Sequence, residues 1–242
     1  MIDMLSAAPH LALMCVVGEP TGLAVATGHK GRMAAHARFT GRAGHLALAP
    51  FAVNALYLAN DFITVLRDVQ ADLQAGGGQD ADYDVPYTTL YVGRISGGGA
   101  LNIVPHHCEL DFEIRNLAQD DPQEILQRLK RAAQQIADTA RTDAPEANVE
   151  IEVFNTYPGL DTPPGAAVVG FVKSLTGANG SYKVAYGTEG GLFNQRLGVP
   201  TVVCGPGDMA QGHKPDEFVS EAQLTACDVM LSNLVARLVE GV

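Results

Sequence analysis

The chain has 242 residues, 47% of them hydrophobic and 18% charged, a composition that fits one or two ordinary folded domains. A formal net charge of -11 argues against nucleic acid as a partner, because phosphate binding needs a basic surface. The apolar run at residues 11–17 is shorter than the about 20 residues that a bilayer requires, and four widely spaced cysteines suit a reducing compartment, so the sequence predicts a cytoplasmic protein without a membrane partner.

The same apolar run predicts a buried strand that ends in the polar turn Gly18-Glu19-Pro20-Thr21. Taken alone, Glu19 is best interpreted as a carboxylate in a surface turn. A second interpretation follows from the sheet, because ligand-binding groups of α/β proteins gather at the carboxyl ends of strands. Glu19 is therefore a candidate ligand if another strand end supplies a partner.

Residues 31–155 carry the pattern of a separate domain. Their elements, recognised from apolar periodicity, are a strand at 33–39, a helix at 55–73, strands at 87–95 and 101–115, a helix that begins at Pro122 and a strand at 149–154. Strand, helix, strand, strand, helix, strand is the order of a ferredoxin-like α+β domain, so we predict that such a domain is inserted at this point.

Two glycine-rich loops follow predicted strands in the C-terminal part of the chain. One is Tyr186-Gly-Thr-Glu189; the other, Gly205-Pro-Gly207, follows the apolar strand 199–204 and leads to His213. A carboxylate and an imidazole at adjacent strand ends could form half of a zinc site. Glu19 and His213 are therefore candidate metal ligands.

The remaining residues, 1–30 and 156–242, are predicted to form an α/β domain with helices and a parallel or mixed sheet. Its last helix begins near Ser220, whose spacing to Gln223 is that of a capping box. Apolar residues recur along this helix at steps of three and four residues and predict one buried face. These residues are Leu224, Cys227, Leu231, Leu234 and Leu238.

Several short motifs occur together and in a fixed order along the whole chain. They are Gly18-Glu19-Pro20-Thr21, Gly41-Arg42-Ala43-Gly44-His45, Asn102-Ile103-Val104-Pro105, Arg115, Gly187-Thr188-Glu189 and Gly205-Pro206-Gly207 through His213-Lys214-Pro215-Asp216-Glu217. With them the chain resembles the acetylornithine deacetylase and succinyl-diaminopimelate desuccinylase group of the dizinc aminoacylase and carboxypeptidase family. The resemblance implies a zinc-peptidase-like catalytic sheet, an inserted lid domain that also forms a homodimer, and a small N-acylated amino acid as substrate.

The resemblance also implies roles for individual residues. Glu19 resembles the carboxylate ligand of one zinc ion, and His213 the imidazole ligand of the other. His45 resembles a lid histidine that reaches across the dimer into the partner's active site and polarises the scissile carbonyl. Asn102 and Arg115 resemble the lid groups that hold the substrate's carboxylate, a task that suits the planar guanidinium of arginine.

Each of these roles has a structural alternative. His45 could begin a helix, Asn102 could occupy a turn, and Arg115 could be one charge on a solvated strand face. Glu189 favours the acetylornithine branch, because a glutamate there could meet a substrate's terminal ammonium, but it could equally cap the helix that follows. Occurrence of the motifs jointly, in the order of the family, favours the functional interpretation.

The chemistry that the resemblance implies is amide hydrolysis by water between two zinc ions, which cobalt can replace. In the family, a zinc histidine, the bridging aspartate, the catalytic glutamate and a further glutamate ligand precede Gly-Glu-Pro, whereas here eighteen residues precede Glu19. Catalytic zinc usually has three protein ligands, so we expect an incomplete dizinc centre and a chain that does not hydrolyse amides alone. We interpret the sequence as the C-terminal portion of such an enzyme; the rival hypothesis is a non-catalytic dimerising or ligand-binding module.

Overall fold

The computed structural model of the chain describes residues 12–212 and 214–241. Its strands in those ranges are β1 (Cys15–Val17), β2 (Val25–His29), β3 (Arg32–Thr40), β4 (Gly44–His45), β5 (Thr89–Gly97), β6 (Ile103–Val104), β7 (His107–Arg115), β8 (Asn148–Tyr157), β9 (Leu160–Asp161), β10 (Ser181–Val184) and β11 (Thr201–Val203). Its helices are a 3-10 helix (Leu46–Phe51), α1 (Ala55–Gly76), α2 (Pro122–Arg141), α3 (Ala167–Thr176), α4 (Gly190–Leu197) and α5 (Glu221–Glu240). No helix in the described part of the chain is both long enough and apolar enough to cross a membrane.

The chain divides into two compact units. The first comprises Met1–Gly31, Ala81–Pro86 and Tyr157–Val242, and the second comprises Arg32–Asp80 and Tyr87–Thr156. The sequence had assigned Ala81–Pro86 to the inserted domain, and the structure places this segment in the first unit instead. The physical reason is Tyr83, whose buried ring lies 5.6 Å from the ammonium groups of both Lys30 and Lys183.

The first unit is built on a mixed sheet. Its strand order is β1-β11-β2-β10, with β9 also paired to β2. The pairs β1–β11 and β2–β10 are parallel, whereas β2 is antiparallel to β11 and β9. All five residues of β2 are buried, and apolar residues of α3 pack with Val25, Val202 and Met230 in one core cluster. The predicted α/β class with a parallel or mixed sheet is confirmed.

The second unit has a four-stranded sheet in the order β5-β7-β3-β8. The chain order of its elements, β3, α1, β5, β7, α2 and β8, combined with this strand order, is that of a ferredoxin-like fold. Alternate residues of β7, from Cys108 to Ile114, are buried with residues of α1 and α2 in the larger core cluster. This burial leaves the other sheet face to charged side chains.

Helix starts in the second unit follow from side-chain caps. The Asn54 side chain accepts a hydrogen bond from the backbone N–H of Leu56 at 2.9 Å, which begins α1. Asp121 does the same for Gln123 at 2.8 Å, and Pro122 occupies the first turn of α2 as predicted. Pro50 lies inside the preceding 3-10 helix, which ends before α1 begins.

The first strand is shorter and more exposed than the sequence predicted. Of the predicted run 11–17, residue 11 lies outside the described residues, Leu13 is 78% exposed, and only Cys15–Val17 form the strand. Among the described strands, β1 pairs with β11 alone. The apolar run therefore predicted a strand correctly, but the strand is shorter and less buried than the run indicated.

The prediction of one buried face on α5 is also wrong in part. Met230 is buried, and Cys227 and Leu234 pack against the same core cluster. Three other residues of the predicted face are exposed by about half: Leu224, Leu231 and Leu238. Apolar residues occur around much of this helix, so packing against the core, rather than periodicity, decides which of them are buried.

Candidate functional site

The two strand ends singled out in the first unit lie side by side. Parallel pairing of Val17 with Val203 means that β1 and β11 leave the sheet at the same edge, and the backbone N–H of Cys204 donates to the Val17 carbonyl at 2.9 Å. The Glu19 turn (residues 18–21) therefore lies next to the Gly205 loop (residues 205–212). Glu19 is half-buried at this edge.

Reciprocal hydrogen bonds fasten the Glu19 turn to the Gly205 loop. The Thr21 backbone N–H donates to the Gly205 carbonyl at 3.1 Å, and the Gly205 N–H donates back to the Thr21 hydroxyl at 3.1 Å. A Cβ atom on Gly205 would lie 2.1 Å from the Gly18 carbonyl oxygen, so only glycine fits there. The Gln223 side chain accepts from the Gly207 N–H at 3.1 Å, which ties the loop to α5.

Two tyrosines, which sequence reasoning missed, hold the other side of the Glu19 turn. The Tyr186 hydroxyl donates to the Pro20 carbonyl at 2.6 Å, and the Tyr182 hydroxyl donates to the Thr21 carbonyl at 3.3 Å. Burial raises the pKa of both tyrosines, and the nearby negative charge of Glu19 adds to the effect at Tyr186. Both hydroxyls therefore remain protonated donors. Neither Tyr186, in a glycine-rich loop, nor Tyr182, in the strand before it, gave a sequence signal of this role.

The structure describes only one of the two predicted metal ligands, Glu19. His213 lies outside the described residues, which include Gly212 before it and Lys214 after it. Among the described residues, no group of three or more His, Cys, Asp or Glu side chains could hold a metal ion. Three protein ligands are usual for catalytic zinc, so the described residues do not by themselves fit a zinc centre.

Glu189 occupies the N-cap position of α4 and is exposed. Its side chain makes no capping hydrogen bond; the Thr188 hydroxyl instead accepts from the Gly190 N–H at 3.0 Å. The structural alternative for Glu189, that it caps this helix, is therefore not what the structure shows. Its carboxylate is available at the surface of the first unit.

His29, a third residue whose role was missed from the sequence, supports the start of α4. It is fully buried at the end of β2, and its Nε2 accepts from the Gly191 N–H at 3.2 Å while Nδ1 donates to the Lys30 carbonyl at 3.0 Å. This network requires the neutral ring with its proton on Nδ1. Burial lowers the pKa of His29, and the Lys30 carbonyl and the charge of Glu189 oppose the shift. The available signal was a histidine that directly follows the short stretch Val25–Gly28.

In the second unit, His45 and Asn102 are brought together. β4 pairs with β6 so that His45 lies opposite Ile103, and the Leu46 N–H donates to the Asn102 carbonyl at 3.0 Å. Both residues are exposed. His45 also begins the 3-10 helix, because its Nδ1 accepts from the Ala47 N–H at 3.2 Å, which leaves the ring proton on Nε2 as a donor.

Arg115 is not near this pair. Asn102 precedes His107 at the start of β7, and Arg115 is at the end of the same strand. At 3.4 Å per residue, β7 is about 27 Å long. The sequence had grouped Asn102 with Arg115 around one carboxylate, and within one protomer the structure separates them. On the outer face of β7 the Arg115 Nε donates to Glu113, so Arg115 is one member of an ion pair on that face.

Among known proteins, a domain family matches mainly the second unit, and whole relatives match nearly the entire chain. Residues 27–141 match the family described as the peptidase dimerisation domain of the M20 group, a span that contains most of the second unit. The acetylornithine deacetylase of Myxococcus xanthus is 32% identical over 234 residues, which are 93% of this chain and 58% of that protein. The chain thus spans about three-fifths of the length of such relatives.

Solved structures share the fold. A tripeptidase from Staphylococcus aureus superposes with a TM-score of 0.72 at 21% identity, covering 96% of this chain and 59% of its own. A Bacillus subtilis protein described as a dinuclear metal binding peptidase of the M20 family gives a TM-score of 0.63 at 13% identity, covering 94% and 57%. The resemblance inferred from the motifs is confirmed: most of the chain is similar to proteins named acetylornithine deacetylase, and residues 27–141 match the M20 peptidase dimerisation domain.

Proposed function

We propose that the protein is a zinc-dependent amide hydrolase that converts N-acetylornithine and water into ornithine and acetate, a reaction of arginine biosynthesis in the cytoplasm. Relatives with about 30% identity that carry the name acetylornithine deacetylase support this substrate. The chain spans 58% of the length of the first of them, so the activity is proposed for the protein as a whole. Succinyl-diaminopimelate desuccinylase is the alternative within the same class.

The fastening of the Glu19 turn to the Gly205 loop is the observation that carries this proposal. Thr21 and Gly205 are 184 residues apart in sequence, yet they exchange hydrogen bonds in both directions. A carboxylate is thereby held beside the loop that leads to His213. Such convergence of distant polar groups at parallel strand ends is typical of a ligand site in an α/β protein.

We propose Glu19 and His213 as zinc ligands, one for each of two metal ions, with cobalt as a substitute. Each ion then needs donors beyond these two residues, because catalytic zinc usually has three protein ligands. The hydrogen bonds from Tyr186 and Tyr182 hold the backbone carbonyls of Pro20 and Thr21, the two residues of the turn that follow Glu19. In this proposal they fix the direction in which Glu19 presents its carboxylate.

Substrate recognition is proposed to involve both ends of the second unit. A substrate the size of an acylated amino acid cannot contact both ends of a strand about 27 Å long. We therefore infer that His45 and Asn102 of one protomer and Arg115 of its partner meet the same substrate. A homodimer through residues 31–155 satisfies this requirement, and the match of residues 27–141 to a dimerisation domain supports it.

The exposed carboxylate of Glu189 completes the proposal for the acetylornithine branch. The terminal ammonium on the side chain of N-acetylornithine would pair with it. The acyl group of this substrate is uncharged, whereas a succinyl group ends in a carboxylate. This assignment separates two substrates that differ in charge at one end. It is testable without knowledge of the metal geometry.

Kinetics on the product of the complete gene test the function. With zinc or cobalt added, we expect a higher kcat/KM for N-acetylornithine than for N-succinyl-diaminopimelate. Glu19→Gln, which keeps the shape of the side chain and removes its charge, should abolish hydrolysis, and Glu109→Gln on the second unit is the matched control. A preference for the succinylated substrate would overturn the branch assignment.

A non-catalytic dimerising or ligand-binding module is the second candidate. The observation that favours it is that no group of three or more metal-binding side chains occurs among the described residues. Metal content and hydrolysis, measured together on the complete gene product, separate the two functions. A dimer that takes up no zinc and cleaves neither substrate would establish the module and exclude the hydrolase.

A further inference from the structure

The loop that carries Glu189 is joined to the Glu19 turn at its first residue. We call residues 186–191 the Glu189 loop. It follows β10, and the hydroxyl of its first residue, Tyr186, donates to the Pro20 carbonyl at 2.6 Å. Pro20 directly follows Glu19, so this hydrogen bond brings the start of the Glu189 loop to the candidate metal ligand of the first unit.

Close packing restricts the rest of the Glu189 loop. A Cβ atom on Gly187 would lie 2.2 Å from the Tyr157 ring, and one on Gly191 would lie 2.2 Å from the Pro158 carbonyl oxygen. Contacts this short leave room for glycine alone at both positions. Glu189, two residues after Gly187, is nevertheless exposed. The loop is therefore held against residues 157 and 158 while it presents one carboxylate at the surface.

His29 fixes the last residue of the Glu189 loop. Its ring is fully buried, and its Nε2 accepts from the Gly191 N–H at 3.2 Å, although the two residues are 162 positions apart in sequence. The other ring nitrogen, Nδ1, donates to the Lys30 carbonyl at 3.0 Å. One side chain thus connects the end of β2 with the first turn of α4, where backbone N–H groups have no partner within the helix.

The hydrogen bonds of this first turn connect His29 to Glu189. The backbone N–H groups of Leu192 and Phe193 both donate to the Glu189 carbonyl, at 2.9 and 3.2 Å. Glu189 and Gly191 therefore belong to one helical turn, and His29 holds that turn through the Gly191 N–H. A displacement of Gly191 would consequently displace the backbone of Glu189 and the carboxylate that it carries.

A neutral imidazole suits this position. The N-terminus of a helix carries a partial positive charge, so it favours a hydrogen-bond acceptor and disfavours a cation. Burial lowers the pKa of His29 and outweighs the opposing effects of the Lys30 carbonyl and the Glu189 charge, so Nε2 remains an acceptor at neutral pH. An apolar side chain of similar size would fill the space but would leave the Gly191 N–H without this acceptor.

We propose that His29 is a positioning residue for substrate specificity: by holding Gly191 it fixes the Glu189 carboxylate in the place where it pairs with the terminal ammonium of the substrate. His29 contacts neither the substrate nor a metal ion. The proposal rests on the proposed hydrolase function for the role of Glu189, and it adds a residue that this function does not use. Loss of the His29 acceptor should therefore weaken recognition of the ammonium and spare a substrate that lacks one.

The test uses two substrates that differ only in the ammonium. N-acetylnorvaline has the carbon skeleton of N-acetylornithine without the terminal amino group. For the complete gene product with zinc added, the kcat/KM for N-acetylornithine divided by that for N-acetylnorvaline measures recognition of the ammonium; we call this quotient the specificity ratio. Glu189→Gln should lower the specificity ratio about tenfold, as loss of a charged hydrogen-bond partner implies.

Two replacements of His29 differ in the acceptor that they provide. The amide oxygen of His29→Gln can replace Nε2, whereas the shorter side chain of His29→Asn does not reach Gly191. His29→Asn should lower the specificity ratio several-fold through a higher KM for N-acetylornithine, and His29→Gln should restore it. Added to Glu189→Gln, His29→Asn should cause no further loss, because the two residues act on one contact. His36→Asn, the same exchange in the second unit, is the matched control and should leave the ratio unchanged.

The kinetic outcomes separate positioning from a purely structural role. If His29→Asn lowers kcat/KM equally for both substrates, or if its effect adds in full to that of Glu189→Gln, His29 only stabilises the fold and the proposal is wrong. An unchanged specificity ratio in a folded His29→Asn would also overturn it. Hydrolysis of N-acetylornithine by the unchanged gene product is unaffected by any of these results.

Hydrogen exchange of the Gly191 amide tests the proposal without a variant and without hydrolysis. Ornithine, which carries the ammonium, should slow this exchange in the complete gene product, whereas norvaline should not, because pairing of the ammonium with Glu189 stabilises the turn that His29 holds. Equal effects of the two amino acids would contradict the proposal, also where His29→Asn does not fold. A gene product that cleaves neither substrate but shows the difference retains the role of His29 and loses the hydrolase.

Discussion

The two units hold their candidate residues by different physical means. In the first unit, Glu19 lies in a turn fixed by backbone hydrogen bonds, a close-packed glycine and two tyrosine hydroxyls. In the second unit, His45 and Asn102 lie on an exposed strand pair, and Arg115 lies in an ion-pair network on a sheet face. Substitutions around Glu19 should therefore affect stability strongly, whereas those around Arg115 should mainly affect charge and binding.

The largest expected effect is that of Gly205→Ala. Its Cβ would lie 2.1 Å from the Gly18 carbonyl oxygen, a backbone atom that cannot move without moving the Glu19 turn. We expect a loss of about 3 kcal/mol or more in the free energy of unfolding, measured by urea denaturation. Gly180→Ala is the control in the same unit, because nothing lies within 4 Å of its Cβ position. Equal stability of the two variants would contradict close packing at Gly205.

The free energy of unfolding should also depend on pH, because His29 is buried. Burial lowers its pKa in the folded state below the ordinary value of 6.5, so the unfolded chain binds more protons as the pH falls below that value. The unfolding free energy should therefore decrease below about pH 6.5, by about 1.4 kcal/mol for each unit of pKa lowering. Denaturation curves from pH 7.5 to 5 measure it. His29→Gln should remove the His29 contribution to the slope of unfolding free energy against pH. An unchanged slope would mean that other groups cause it.

A smaller effect is expected from Tyr186→Phe, which removes the hydroxyl that donates to the Pro20 carbonyl at 2.6 Å. Loss of one partly buried hydrogen bond should lower the unfolding free energy by about 1 kcal/mol. Tyr91→Phe is the matched control, because the Tyr91 side chain is 64% exposed in the second unit. If both variants unfold alike, the tyrosine contact does not stabilise the Glu19 turn.

The smallest effect on stability is expected at Arg32. Its pair with Glu113 is one-third exposed, and exposed ion pairs contribute about 0–1 kcal/mol. Arg32→Gln should therefore unfold within about 0.5 kcal/mol of Arg38→Gln. A large destabilisation by Arg32→Gln alone would make this network a structural element and would weaken the contrast between the units.

How far the candidate site could be foreseen differs between its residues. Glu19 was identified because a polar turn directly follows an apolar run, a local pattern. His29 and Tyr186 were missed because their roles depend on Gly191 and Pro20, which are distant in sequence. The separation of Asn102 from Arg115 was missed for a related reason: motif order does not show which end of a strand each motif occupies.

The sequence by itself determined the alternating burial of β7, the long helix α1 and the ferredoxin-like order of the inserted elements. These features depend on side-chain spacing of two or of three to four residues, which is local information. Only the tertiary structure decided that β11 is parallel to β1 and antiparallel to β2, that Ala81–Pro86 packs with the first unit, and that Glu113 joins Arg32 to Arg115. Such pairings depend on contacts between segments far apart in the chain, which periodicity does not specify.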